Sequence, residues 1–348
     1  MDVFRALAIF LVVLSHGKII SKDLFSFIPN IPLIDGVELF FVLSGFLIGS
    51  ILIKEFNTKK SFDLTSLTNF WKRRWFRTLP NYYLILLINF LLIKYNVIDG
   101  KIESFNFKFL FFLQNFSTGF TDFFWESWSL SVEEWFYISI PLLIILFSRF
   151  FNKKTTLNIV IITLIITPLL YRISISDMSV DSFWWDINFR KVVLTRLDAI
   201  GYGVLAAYLK FYYPSFWVKN QNRMFITGLG IFITILYIQS EPNTFYSKTL
   251  YLSLTSIGAM LLLSKADSLK TIKYNTLKRI VTHISKISYA MYLVNLALVA
   301  QVIDHNFPPQ NNLEKFYLYL LYWSATIILS TLLFHFFEKP MMNLRDRI

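Results

Sequence analysis

The sequence predicts an all-α protein, a polytopic transmembrane helix bundle of about ten spans with both termini on the cytoplasmic side. Three observations carry this. Of the 348 residues, 55% are hydrophobic and only 16% charged, with a mean hydropathy of +0.53, whereas a soluble domain carries about 25% charge. The apolar residues fall into stretches divided by short polar ones, each near the ~20 residues a helix needs to cross a bilayer. With the N-terminus placed inside, 22 Lys and Arg lie in inward segments and 11 in outward ones, the bias that orients membrane proteins.

In chain order the expected spans are Val3–Ile20, Val37–Ile53, Leu79–Tyr95, Ser127–Phe150, Leu157–Tyr171, Val192–Tyr213, Met224–Ile238, Leu250–Ser264, Ile284–Ile303 and Phe316–Phe337. The first follows a single basic residue, Arg5, and has no small-residue cleavage motif after it, so it reads as a retained helix. The segment Phe107–Phe116 is apolar but too short to span, and is expected to lie at the outer surface or re-enter the bundle. No repeat or linker divides the chain. Residues 1–348 are therefore expected to form one integral-membrane domain in the plasma membrane, with no fused extracytoplasmic domain.

Composition narrows the chemistry. With no Cys there is no thiolate nucleophile, and four His make a histidine metal centre a poor reading, so no metal is expected. The net charge of +12 is assigned to topology rather than to nucleic acid. Membrane lipid is the expected environment, and oligomeric state is not legible.

Polar groups are costly in lipid, so those inside spans carry the functional information. Arg5 and His16 are eleven residues apart, which places them on one helix face about 16 Å apart along the axis. Glu38 opens the antiparallel second span at about the depth of His16, where a carboxylate would orient an imidazole used as a base. In the fourth span Glu126, Ser129, Glu133 and Tyr137 fall in one arc of about 80°, a polar stripe facing a wet interior. Trp128 and Trp135 are expected on the other side. Arg74 and Arg77 lie three residues apart in an aromatic, basic run ending at Pro80. If helical, they present two guanidinium forks toward a phosphate-rich ligand or toward anionic lipid.

These residues together resemble a family, the integral-membrane acyltransferases of the acyltransferase type 3 class. The likeness rests on Arg5 and His16 with ten residues between them, on Gly36-Val37-Glu38-Leu39-Phe40-Phe41, and on Arg74-x-x-Arg77 before Pro80. It continues through Trp128-Ser129-Leu130-Ser131-Val132-Glu133-Glu134, Arg196-Leu197-Asp198, Ile287-Ser288-Tyr289-Ala290-Met291-Tyr292-Leu293 and Glu338-Lys339-Pro340. Two departures stand out: Glu38 replaces the usual Asp, and Asn295 replaces a His that commonly follows the Tyr-Leu motif. Asn295 is accordingly expected to be dispensable.

The resemblance implies O-acylation of an extracytoplasmic glycan or lipid-linked saccharide from cytoplasmic acyl-coenzyme A, with acetyl the expected group. It implies coenzyme A binding by Arg5, Arg74 and Arg77. His16 would act as general base or acyl carrier, with Glu38 as its orienter. Glu133, Tyr137, Arg196 and Asp198 follow as candidates for acceptor binding or pore shaping. Outer-loop residues Phe123, Phe124, Asp181, Trp184, Trp185 and Asp186 suit either sugar contact or an interfacial belt. A secondary transporter or flippase of lipid-linked glycan is the competing reading, weakened by the lack of repeated halves. A non-catalytic scaffold is disfavoured by the retained costly charges.

Overall fold

The computed structural model describes residues 1–21, 35–59, 62–238, 241–269 and 274–345. The ten principal helices are α1 (Asp2–His16), α2 (Gly36–Thr58), α3 (Leu64–Lys94), α4 (Ser127–Ser148), α5 (Lys153–Ser174), α6 (Val193–Tyr212), α7 (Gln221–Ile238), α8 (Phe245–Ser268), α9 (Asn275–Val294) and α10 (Asn312–Leu333). Among the described residues there is no strand, and nine helices are long and apolar enough to cross a membrane. A tenth span arises if Ser182–Arg190 and α6, bent by 63° to one another, count as one. The sixth expected span is thus the broken one.

Local sequence explains where the helices begin. The side chains of Asp35, Asp63, Asn152, Thr244 and Asn311 each accept a backbone N–H from the first turn of α2, α3, α5, α8 and α10, satisfying donors that a helix leaves open. The cap at Asp63 starts α3 fifteen residues before the expected span, and the helix runs on through Pro80. The arginine-rich stretch is therefore helical, and Arg74 and Arg77 share a face.

At the centre α2 packs along α6, with α1 and α8 beside it. A Cβ on Gly45 would fall 2.0 Å from the Ile200 carbonyl oxygen, and one on Gly203 would fall 2.1 Å from that of Val42. Only glycine permits this backbone approach, the usual means of close helix packing where lipid removes the hydrophobic drive between helices. Gly36 does the same against α1, where a Cβ would sit 2.4 Å from the Ala8 carbonyl oxygen.

Two buried ion pairs lock the same helices. Arg196 of α6 pairs with Glu38 of α2, whose other oxygen accepts from Ser256 of α8. Arg172 of α5 pairs with Asp198 of α6 at 2.7 Å and donates to Ser253 of α8 at 2.6 Å. Each charge is matched by an opposite one and hydrogen-bonded, which offsets the cost of burial, although Arg172 Nε, Arg196 Nε and Arg196 Nη1 have no partner among the described residues. Around this centre Leu87, Ile162, Ile226, Leu320 and Ile328 point outward and are exposed, a surface suited to lipid.

The segment after α3 divides between its two expected alternatives: Phe107 and Phe111 are exposed, whereas its end packs into the bundle. Gln114 and Asn115 are buried: Gln114 donates to Ser131 at 2.6 Å, and Asn115 donates to the carbonyls of Trp128 and Lys191. Phe123 and Phe124 are buried beside it, at 1% and 2% exposure. Both are core residues and unavailable for sugar stacking, which corrects that expectation; Trp184 stays exposed.

Candidate active site

Two cavities open beside α1 and α2. The basic cavity, about 840 Å³ with its mouth, is lined by Arg5, Arg74, Arg77, Ser44, Glu133 and Tyr137, among others. The imidazole cavity, about 1140 Å³ with its mouth, is lined by His16, Asp35, Trp125, Glu126, Arg190 and Lys191, among others. Val37 lines both, so they meet along the first turn of α2.

In the basic cavity, α3 is held by polar anchors that aim its arginines. Trp71 donates to the Tyr137 carbonyl at 2.9 Å, Trp75 to Glu134 at 3.1 Å, and Thr78 to Glu134 at 2.7 Å. Tyr289 reaches the Thr78 carbonyl at 2.9 Å, and Asn81 donates to Glu338 at 3.0 Å. Trp71 and Trp75 stack with centroids 5.3 Å apart. Among the described residues Arg5, Arg74 and Arg77 form no ion pair, and the buried Arg74 Nε has no hydrogen-bond partner. Arg5 makes a long contact to Ser285, which itself donates to Asp2. On the facing wall Ser44 donates to Tyr137 at 3.1 Å, and Tyr137 donates to Glu133 at 3.0 Å. Three guanidiniums without ion pairs among the described residues, against one lining carboxylate, give the pocket an excess of positive charge that would attract an anion of several charges.

In the imidazole cavity the partner of His16 is Asn295, not Glu38. His16 Nδ1 lies 2.6 Å from Asn295 Oδ1. Asn295 Nδ2 already donates to the carbonyls of Met291 and Tyr292, at 2.7 and 2.8 Å. The amide is thus oriented, its oxygen can only accept, and the proton of a neutral ring must sit on Nδ1. Nε2 is left with its lone pair, the form a general base needs. Asn295 opens a π-helical turn, Asn295–Gln301, that continues α9; such turns leave carbonyls for a side chain to take and recur at functional sites.

The expected pairing of Glu38 with His16 is therefore corrected. Glu38 is turned away toward α6 and α8, where Arg196 and Ser256 hold it. The reason is packing: Gly36 brings the start of α2 against Ala8 and Val12 of α1, whereas α2 lies along α6 for most of its length. Neither Arg196 nor Asp198 lines either cavity; both are committed to the ion pairs between helices. Asn295, set aside from the sequence because it departs from the expected His, is the hydrogen-bond partner of the His16 ring. The signal that could have found it is an amide inside an otherwise apolar span.

The polar stripe of α4 faces the cavities as expected from its spacing: Glu126 lines the imidazole cavity, and Ser129, Glu133 and Tyr137 line the basic one. Trp128 does not face away. It lines the imidazole cavity under the Arg190 guanidinium, 5.0 Å from the ring centroid. Between the cavities, Ser129 donates to Tyr292 at 2.6 Å and Tyr292 donates to the Glu126 carbonyl at 2.9 Å. Both line the basic cavity, and the Glu126 that Tyr292 bonds lines the imidazole one, so with Val37 they stand where the two cavities adjoin. Among the described residues no group of three His, Cys, Asp or Glu comes together to hold a metal.

Fold and site define a class: a polytopic helical membrane protein with an arginine-lined pocket adjoining a second cavity that holds an imidazole. The acyltransferase-3 family profile, described as an acyltransferase domain, matches residues 1–335. The chain belongs to that family. It is 26% identical over 332 residues to a Staphylococcus aureus (strain COL) protein provisionally named an O-acetyltransferase, covering 88% of this chain and 52% of that one. It is 25% identical over 330 residues to the O-acetyltransferase OatA of Staphylococcus aureus (strain NCTC 8325), with the same coverage. The chain spans about half the length of these relatives. No solved structure matches it.

Proposed function

We propose that this protein transfers an acyl group, acetyl by analogy with the relatives' names, from cytoplasmic acyl-coenzyme A to a hydroxyl of an extracytoplasmic glycan or lipid-linked saccharide. The observation that carries it is the fixed tautomer of His16, a base with a bare Nε2 in a chamber adjoining an arginine pocket. Arg5, Arg74 and Arg77 bind the phosphates of coenzyme A at the inner face. The pantetheine arm then runs along α1, passing Val37 and the Ser129–Tyr292 pair. Arg5 and His16 stand about 16 Å apart along the helix axis, a distance suited to an extended arm.

In the imidazole cavity His16 Nε2 takes the proton of the acceptor hydroxyl while that oxygen forms a bond to the thioester carbonyl carbon. The C–S bond then breaks, and the coenzyme thiolate takes the proton back from the imidazolium. Asn295 holds the ring throughout. Glu38 acts at a distance, by fixing α2 to α6 and α8. An acyl-histidine intermediate would use the same lone pair, and acid quenching of a reaction with labelled donor distinguishes it by label retained on protein.

The test is a vesicle assay with the reconstituted protein. Labelled acetyl-coenzyme A supplied on the side of Arg74 is expected to give esterified acceptor on the other side, with His16→Ala abolishing transfer but binding coenzyme A as wild type does. Unimpaired transfer by His16→Ala would overturn the mechanism. Movement of unmodified saccharide without any acyl donor would instead show a flippase.

A further inference from the structure

The imidazole cavity contains one buried carboxylate that neither the ion pairs nor the proposed proton transfer uses. Glu126 is 2% exposed, lies one residue before α4 and lines the cavity with His16. Its Oε1 accepts the Ala297 N–H at 3.3 Å, and its backbone carbonyl accepts from Tyr292. Its Oε2 is buried and has no hydrogen-bond partner among the described residues. A buried polar atom without a partner is costly in a folded protein and calls for an explanation.

The other charges of the cavity are already matched. Arg190 pairs with Asp35 at 2.7 Å and with Asp186, and Lys191 pairs with Asp186 at 2.6 Å. Their cations also lie over Trp128 and Trp125, at 5.0 and 5.2 Å from the ring centroids. Among the described residues, an anionic acceptor group would find no uncommitted cation there. The free group is a hydrogen-bond acceptor, so the matching ligand is a donor that carries no negative charge.

We propose that Glu126 is a substrate-binding residue whose Oε2 accepts a hydrogen bond from the hydroxyl neighbouring the one that is acylated. The cavity then selects a neutral saccharide presenting a vicinal diol. One hydroxyl goes to His16 Nε2 and the next to Glu126. This rests on the acyl-transfer reading above and adds the acceptor's chemistry to it.

The experiment uses the reconstituted full chain with labelled acetyl-coenzyme A and, as probes, the methyl glycosides of glucose and N-acetylglucosamine with their monodeoxy analogues. Glu126→Gln keeps a carbonyl oxygen for the Ala297 N–H but puts a donor where Oε2 was. It is expected to raise the KM for the glycoside roughly ten- to hundredfold, with kcat changed little and coenzyme A binding unchanged. With wild-type protein, the analogue lacking the hydroxyl next to the acylated one should show the same raised KM, and Glu126→Gln should penalise it no further.

An unchanged KM in Glu126→Gln overturns the proposal, as do penalties that simply multiply. The deoxy series on wild type stands independently of how the variant folds: indifference to every single deoxygenation beside the acylated position also overturns it. If coenzyme A is consumed but neither glycoside is esterified, the neutral-diol assignment fails while acyl-donor use stands. If coenzyme A is neither bound nor consumed, the acyl-transfer reading itself fails, and this role with it.

Discussion

The two cavities share a wall yet differ in how their charges are balanced. The basic cavity sets three arginines without ion pairs, Arg5, Arg74 and Arg77, against a single lining carboxylate, Glu133. In the imidazole cavity Arg190 and Lys191 are neutralised by Asp35 and Asp186, while His16 Nε2 and Glu126 Oε2 have no partner among the described residues. One chamber carries excess positive charge, and the other brings an imidazole and a carboxylate oxygen without a partner to one cavity. Under the proposed reaction, a polyanionic donor and a neutral acceptor would be sorted between the two cavities by charge alone.

The comparison is broken most severely by removing the base. His16→Ala is expected to lower acyl transfer by roughly 10²–10⁴-fold while leaving coenzyme A affinity at the wild-type value, as measured by calorimetry on purified protein. A comparable effect of a different kind is expected outside both chambers. Arg196→Ala strands Glu38 in the bundle and should destabilise the fold by about 3–5 kcal/mol, seen as a lowered unfolding temperature in detergent. If instead stability is kept and acceptor KM rises, Arg196 belongs to the acceptor site after all.

The basic cavity is tested by Arg74→Ala and Arg77→Ala. Each should weaken coenzyme A binding by about 1.5–3 kcal/mol, with dephospho-coenzyme A losing less because it offers fewer charges. Lysine at either position should restore only part of the affinity, since it lacks the planar fork. Asn295→Ala comes next: freeing the ring from its amide should slow transfer by roughly tenfold without changing affinity for either substrate. Asn295→Asp, which keeps an acceptor at Nδ1, should retain more activity than Ala, and equal rates in the two variants would remove Asn295 from the mechanism. The smallest effect is expected where the two cavities adjoin. Tyr292→Phe removes hydrogen bonds worth about 0.5–1.5 kcal/mol each and should raise acceptor-independent hydrolysis of the thioester a few fold.

Much of the fold was legible because a bilayer forces long apolar helices, and their lengths and flanking charges are properties of consecutive residues. The stripe from Glu126 to Tyr137 was legible for the same reason, since helical periodicity alone puts four polar side chains on one face. Glu38 and Asn295 were not. Which of two neighbouring helices a side chain near a crossing point addresses depends on close approach, and that approach was set by Gly36 against Ala8 and by Gly45 against Ile200. The break before α6 was also hidden, because Ser182–Arg190 and α6 pass as membrane-spanning only when taken together.

By itself, then, the sequence determined a helical membrane protein, the shared helix of Arg5 and His16, and the pairing of Arg74 with Arg77, because each follows from local spacing and the cost of polar groups in lipid. Tertiary structure alone decided that Asn295 holds the imidazole and that Glu38, Arg196, Arg172 and Asp198 are spent on holding helices together. It also left one oxygen of Glu126 without a partner among the described residues, in a side chain that lines the same cavity as His16. The physical reason is that a buried polar atom is defined by its partner, and partners such as Asn295 of His16 lie 279 residues away, beyond anything spacing along the chain can encode.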